Sequence, residues 1–235
     1  MMARLRAWAV QAAETLDDPR ADAGLVVTSL RDIALINRAF GNAAVGARRL
    51  AEFWRGERRG ATLSLLDVGT GLGDIPRAAA TLAARQGVTL RLVGLERHAA
   101  AARAARERGG LAALIADGRA LPFADGAFDL VLCAKLLHHL PGERGRRLVA
   151  ELNRVARRAV VVLDIRRSPV AAAGIWLASY ALLLHPCTRR DALISVFRGF
   201  TPAELGRACA DAGVRAEVRR HPGFCLTASW RVGVA

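Results

Sequence analysis

Three glycines at alternate positions, Gly69, Gly71 and Gly73, follow an apolar run ending in Asp67, in the stretch LLDVGTGLGD. Glycines so placed let a ligand approach the backbone closely, and a helix starting after them favours an anion. A dinucleotide turn reads G-x-G-x-x-G, and here the third glycine comes one residue early. A diphosphate also gains nothing from a carboxylate two residues before the first glycine. A ligand bearing both an amino group and a carboxylate would gain from Asp67 and the turn together. Two more acids, Glu96 and Asp117, close the next two apolar runs. After a fourth run come Lys135, the chain's single lysine, and the adjacent His138 and His139. A histidine placed there can help deprotonate a phenol or an activated carbon, and Lys135 can stabilise a phenolate.

These residues need a scaffold that brings strand ends together. The short apolar runs LSLLDV, TLRLVGLE, LAALIAD, FDLVLCA and AVVVLDI alternate with helical stretches, of which DIPRAAATLAARQG is the first. Apolar strands separated by helices imply a parallel sheet covered on both faces. VRAEVRR and FCLTASWRV, separated by His221-Pro222-Gly223, predict a closing hairpin. Residues 1–58 are helical in pattern and predict an N-terminal cover; Leu25, Leu30, Ile33, Ile36 and Phe40 form one apolar face. Thr201-Pro202-Ala203-Glu204 is a capping box that opens a helix. The apolar stretch 169–185 is bracketed by Arg166, Arg167, Arg189 and Arg190. It falls short of the ~20 residues of a membrane span. It predicts a lid helix over a ligand, with an interfacial membrane contact as the second reading.

Composition narrows the function classes. A hydrophobic content of 53% excludes wholesale disorder. The net charge of +14 comes from scattered arginines rather than a basic arm, so charge alone is weak support for a nucleic-acid partner. Cys133, Cys187, Cys209 and Cys225 have no metal-ligand spacing, which predicts buried thiols, no metal site and a cytoplasmic setting.

The stretch LLDVGTGLGD resembles motif I of the class I S-adenosylmethionine-dependent methyltransferases. LVGLERHAAAARAAR resembles the family's second strand, and LIADGRALPFADGAFDLVLCA its third strand, adenine loop and fourth strand. The likeness spans roughly residues 60–165. It implies a Rossmann-like α/β fold with a seven-stranded sheet and an antiparallel last strand. The methyltransferase domain would occupy residues 59–235, with a lid insertion at 169–200. S-adenosylmethionine is the implied cofactor, leaving as S-adenosylhomocysteine. The implied cofactor set is Asp67, Gly69, Thr70, Gly71, Gly73, Glu96, Asp117, Gly118 and Cys133, with Glu96 on the ribose and Asp117 beside the adenine. His138 or His139 would serve as base. The family's Pro-Gly-Gly turn before the fifth strand is missing, since RVARRAVVVLDI runs straight through. The apolar lid favours a small apolar or aromatic acceptor for O- or C-methylation, as in quinone and natural-product branches. An RNA methyltransferase and a non-catalytic cofactor-binding protein are the alternatives. The acceptor's identity and the oligomeric state are not fixed by sequence.

Overall fold

The apolar runs become strands in the computed structural model, which describes residues 2–233. They are β1 (Thr62–Val68), β2 (Thr89–Glu96), β3 (Ala112–Ile115), β4 (Phe128–Ala134), β5 (Ala156–Ile165), β6 (Glu217–His221) and β7 (Cys225–Arg231). They form one seven-stranded sheet in the order β3-β2-β1-β4-β5-β7-β6. β1 to β5 pair in parallel, and β7 runs antiparallel to both β5 and β6.

Strand alternation sorts the core onto two faces. On one, Leu63, Leu65, Leu90 and Leu130 meet Leu50 and Trp54 near α3 (Asn42–Ala51), Ile75 and Ala79 of α4 (Asp74–Arg85), and Ala102 of α5 (Ala99–Glu107). On the other, Leu66, Val68, Val131 and Val160 meet Leu148 and Leu152 of α6 (Glu143–Val155) and Leu205 of α9 (Pro202–Ala210). The chain passes from α6 into β5 between Val155 and Ala156, so no turn intervenes where the family often has one. β1 lies beside β4, and their following helices α4 and α6 lie on opposite faces. That arrangement opens a crevice at the strands' carboxyl ends.

Residues from the segments 2–58 and 169–200 line the crevice as well. α1 (Met2–Gln11) packs on α8 (Pro186–Arg198), and α2 (Ala23–Ala39) on α5. α3 packs directly into the sheet core, so the cover and the sheet share one interior. The expected single lid helix is two. α7 (Pro169–Ala181) ends before a turn where Leu183 takes φ +53°, and α8 starts at Pro186. Proline disfavours a helical conformation in the residue before it. His185 is accordingly extended (ψ 142°), and its Nδ1 accepts from the Cys187 N–H at 3.3 Å.

The capping box forms as expected. Thr201 Oγ1 accepts from the Glu204 N–H, and Glu204 Oε2 accepts from the Thr201 N–H at 2.8 Å. Glu204 also pairs with Arg167 at the foot of α7. Thr201→Ala should lower stability by about 1 kcal/mol, measured as a drop in the thermal or urea midpoint.

Candidate active site

A cavity of about 700 Å³ occupies the crevice and reaches Asp67, Glu96, Asp117, His138, Ile175 and Phe224. Asp67 sits at its floor, opposite Gly94 of β2 and Leu132 of β4. It is 2% exposed. Its Oδ2 accepts from the Thr70 hydroxyl at 2.8 Å, while its buried Oδ1 has no partner. Burial pushes its pKa up to about 7; the Thr70 bond opposes this, and the charges of Asp74 and Glu96 add to it.

The turn after β1 works differently from the sequence expectation. Gly69 and Thr70 N–H donate to Leu95 O, Gly73 N–H to Thr70 O, and Gly71 N–H to Glu96 Oε2 at 3.0 Å. Those donors are engaged within the protein, so the glycines serve conformation more than ligand hydrogen bonding. Gly71 has φ +53°, and a Cβ there would lie 3.1 Å from Leu30 Cδ2. Any side chain would strain the backbone and crowd the cavity wall. Gly73 starts α4 at φ +71° and lies outside the cavity lining.

Glu96 caps the end of β2. Its Oε1 accepts from the N–H groups of Arg97 (2.7 Å) and His98 (3.2 Å), which holds the carboxylate at the cavity edge. Asp117 is gripped by Arg119, whose Nη2 lies 2.6 Å from Oδ2 and Nε 3.0 Å from Oδ1. Those bonds keep its carboxyl below the usual range. Beside it, a Cβ on Gly118 would come within 2.8 Å of Val68 Cγ1, so only glycine fits. Cys133 does not belong to this group. It is wholly buried in the core and absent from the cavity lining, and burial holds its thiol well above the ordinary pKa.

The other half of the cavity gathers residues from distant segments. His138 is buried, and its Nδ1 lies 2.7 Å from Oδ1 of the fully buried Asp164. Burial alone would raise the Asp164 carboxyl, but His138 and the Ile165 N–H hold it below its usual value. An ionised Asp164 only accepts, so Nδ1 carries a proton, and in the neutral ring Nε2 is the nitrogen with the free lone pair. Nε2 has no partner and is closed off from solvent. The ring of His139 stacks on it, with centroids 4.1 Å apart. His139 Nδ1 lies 2.8 Å from Asp17 Oδ1. Lys135, at φ +53°, faces the cavity; with the Asn42 amide correctly oriented, its Nζ donates to Asn42 Oδ1 at 3.1 Å. Burial lowers the Lys135 pKa, against the fields of Asp74 and Asp164.

Glu14, Asp17, Ser195 and Arg198 complete this end, and sequence reading missed all four. A strap around Thr15–Asp17 crosses the cavity mouth and is pinned by Arg97 Nη2 on the carbonyls of Leu16 and Asp17. Glu14 accepts from Ser195 Oγ at 2.7 Å and from Arg198 Nη1 at 3.1 Å. Burial raises the Glu14 pKa despite those bonds and the nearby His139. The one sequence signal was acidic: Glu14, Asp17 and Asp18 cluster in an otherwise basic chain. Glu14, His138 and His139 bring one potential ligand atom each within 4.8 Å of one another. Arg198 pairs with Glu14 in this cluster at 3.1 Å.

Comparison with known proteins agrees with this geometry. The family model described as "Methyltransferase domain" matches residues 66–163, from within β1 to β5. Residues 66–163 therefore match a methyltransferase domain, and the fold around them is shared with S-adenosylmethionine-dependent methyltransferases. An Arabidopsis thaliana protein named as a probable methyltransferase is 38% identical over 94 residues, covering 40% of this chain. The chain spans only 15% of the length of that curated relative. An S-adenosylmethionine-dependent methyltransferase from Aquifex aeolicus shares the fold at a TM-score of 0.57 and 18% identity, covering 80% of this chain and 89% of its own. A Nostoc punctiforme protein provisionally assigned as an O-methyltransferase reaches 0.65 at 16% identity, covering 97% and 68%. The CurJ carbon methyltransferase gives 0.59 at 9% identity, covering 82% and 54%.

The methyltransferase domain's cofactor fits the residues present. An unpartnered, buried Asp67 Oδ1 suits the amino group of an amino-acid ligand, and Glu96 stands at the cavity edge where ribose hydroxyls can donate to it. Asp67 also leaves a signature in the ligand-free protein. Its folded pKa of about 7 exceeds the ordinary 3.8, so its contribution to stability is present at low pH and lost as pH rises toward 7. The thermal midpoint of the wild type should fall relative to Asp67→Asn between about pH 5 and about pH 8. Parallel midpoints for the two proteins across that range would show that Asp67 is not perturbed.

Proposed function

We propose that the chain transfers a methyl group from S-adenosylmethionine to a small apolar or aromatic acceptor, releasing S-adenosylhomocysteine. The observation that carries this reading is the single cavity joining the strand-end acids to His138 and His139. The cofactor supplies an electrophilic methyl on its sulfonium. In this reading Asp67 binds the amino group, Glu96 the ribose and Asp117 the adenine amino group once Arg119 yields its grip. Gly69, Thr70, Gly71 and Gly118 shape the floor beneath them.

The acceptor wall is apolar. Phe40 and Phe224 meet edge-to-face at 6.0 Å, and Ile33, Ile36 and Ile175 line the same space. Enclosure by the strap and the α7–α8 pair excludes water and limits the acceptor to a small molecule. Both support a small acceptor over an RNA strand. Trp176 and Leu183 of the expected lid are exposed, and Ala171 and Ile175 are the α7 residues that line the cavity.

His138 is the base in this reading, because Asp164 fixes its tautomer and leaves Nε2 without a competing partner. Asp164 is the positioning residue. His139 ties the strap to the site through Asp17, and Lys135 offers a cation to an acidic acceptor oxygen. Natural-product chemistry and either O- or C-methylation fit this arrangement.

Extracts incubated with methyl-labelled cofactor and the protein should yield a labelled small molecule by mass spectrometry; label found only in RNA would defeat the reading. Glu96→Ala should weaken S-adenosylhomocysteine binding by about 1.5–3 kcal/mol in calorimetry. With an acceptor in hand, His138→Ala should cut turnover by about 10²–10⁴ and leave cofactor affinity unchanged. Asp164→Asn should reproduce most of that loss and His139→Ala much less. If His138→Ala turns over like wild type, transfer rests on proximity and orientation alone.

A further inference from the structure

The helix α7, PVAAAGIWLASYA, contains no charged residue. A helix apolar all round is expected to be covered all round. Its Ala171, Ile175 and Ser179 are buried, and the first two border the cavity. The opposite side lies open: Val170 is 67% exposed, Trp176 50%, Leu177 62% and Tyr180 52%. Their spacing puts them on one face, and Trp176 meets Tyr180 edge-to-face at 5.3 Å. The turn after α7 adds Leu183, 84% exposed. Half of the large hydrophobic side chains exposed among the described residues thus fall within residues 170–183. Such concentration marks a contact surface rather than ordinary scatter.

Charge decides what this surface meets. The Arg189 guanidinium lies 4.4 Å from the centroid of the Tyr180 ring, within the patch, and Arg190 beside it is exposed. The single acid of α7 and α8, Asp191, is buried and accepts from the Thr15 N–H. The nearby Asp32 accepts from the His185 N–H. Tryptophan, tyrosine and aliphatic side chains with arginine on the tyrosine ring make up the composition of a headgroup-level face. A second copy of the chain would oppose one +14 molecule to another and place like arginines together. No helix among the described residues is long and apolar enough to cross a membrane.

We propose that the outer face of α7 and the Leu183 turn seat in the headgroup region of an anionic lipid bilayer. This deepens the reading of an apolar acceptor, on which its functional meaning rests. The inner face of the seated helix walls the cavity, so the bilayer becomes the reservoir from which the acceptor enters.

The test is vesicle flotation of the full chain, using phosphatidylcholine alone and phosphatidylcholine with about 30% phosphatidylglycerol. Wild type should float with the anionic vesicles, bind phosphatidylcholine alone weakly and come off at about 1 M salt. The triple variant W176S/L177S/L183S should lose about tenfold or more of its vesicle partitioning. Its thermal midpoint and S-adenosylhomocysteine affinity should stay at wild-type values. R189E/R190E, which keeps the apolar face, should lose the preference for anionic lipid. Three results would each overturn the proposal. One is wild type that floats with neither vesicle. Another is a triple variant that floats like wild type. The third is a dimer in sedimentation that the triple variant dissociates, with no flotation, which makes the face a self-interface. Flotation without cofactor binding would leave the docking intact and defeat the methyltransferase reading; the reverse would defeat the docking alone.

Discussion

The crevice between β1 and β4 is the constraint on which the rest of the molecule depends. Because α4 and α6 leave these neighbouring strands toward opposite faces, neither of them covers the strands' carboxyl ends. That gap lets a carboxylate be buried without a full set of partners. Asp67 lies at its floor with one oxygen bonded to Thr70 and the other unpartnered. A buried lone acceptor is costly unless something else completes it. The cost falls where a cationic ligand group relieves it.

Two buried carboxylates on the parallel strands that flank β4 are treated in opposite ways. Asp67 on β1 is raised by burial and by acidic neighbours, while Asp164 on β5 is held low by His138 and a backbone N–H. The first keeps an oxygen without a partner, and the second is already occupied in orienting an imidazole. The cavity therefore has a carboxylate end and a histidine end, set by which partner each carboxylate found on folding.

The cover joins these two ends mechanically. Arg97, next to Glu96, holds the carbonyls of Leu16 and Asp17, and Asp17 in turn holds His139 and Arg198. One short strap thus links the residue beside Glu96 to the histidine end of the cavity. Above it, α7 has an apolar inner face toward the cavity and an apolar outer face toward solvent.

The sequence by itself determined the sheet, the turn after β1 and the strand-end acids. Those features are local: an apolar run, a glycine turn and the following helix lie close together in the chain, and each acid lies within two residues of a strand end. It also determined the α9 capping box, whose partners are three residues apart. Local pattern could not tell which of Cys133 and Ala134 faces the cavity, because β4 is buried on both sides and its apolar run lacks a polar alternation. Nor could it show that the turn N–H groups are engaged, since Leu95 and Glu96 reach them from a different strand. Tertiary structure alone decided the histidine end. Glu14 meets Ser195 and Arg198 across more than 180 residues, and His138 meets Asp164 across 26. It also decided which side of α7 is covered, because a helix apolar all round carries no periodic signal of its inward face.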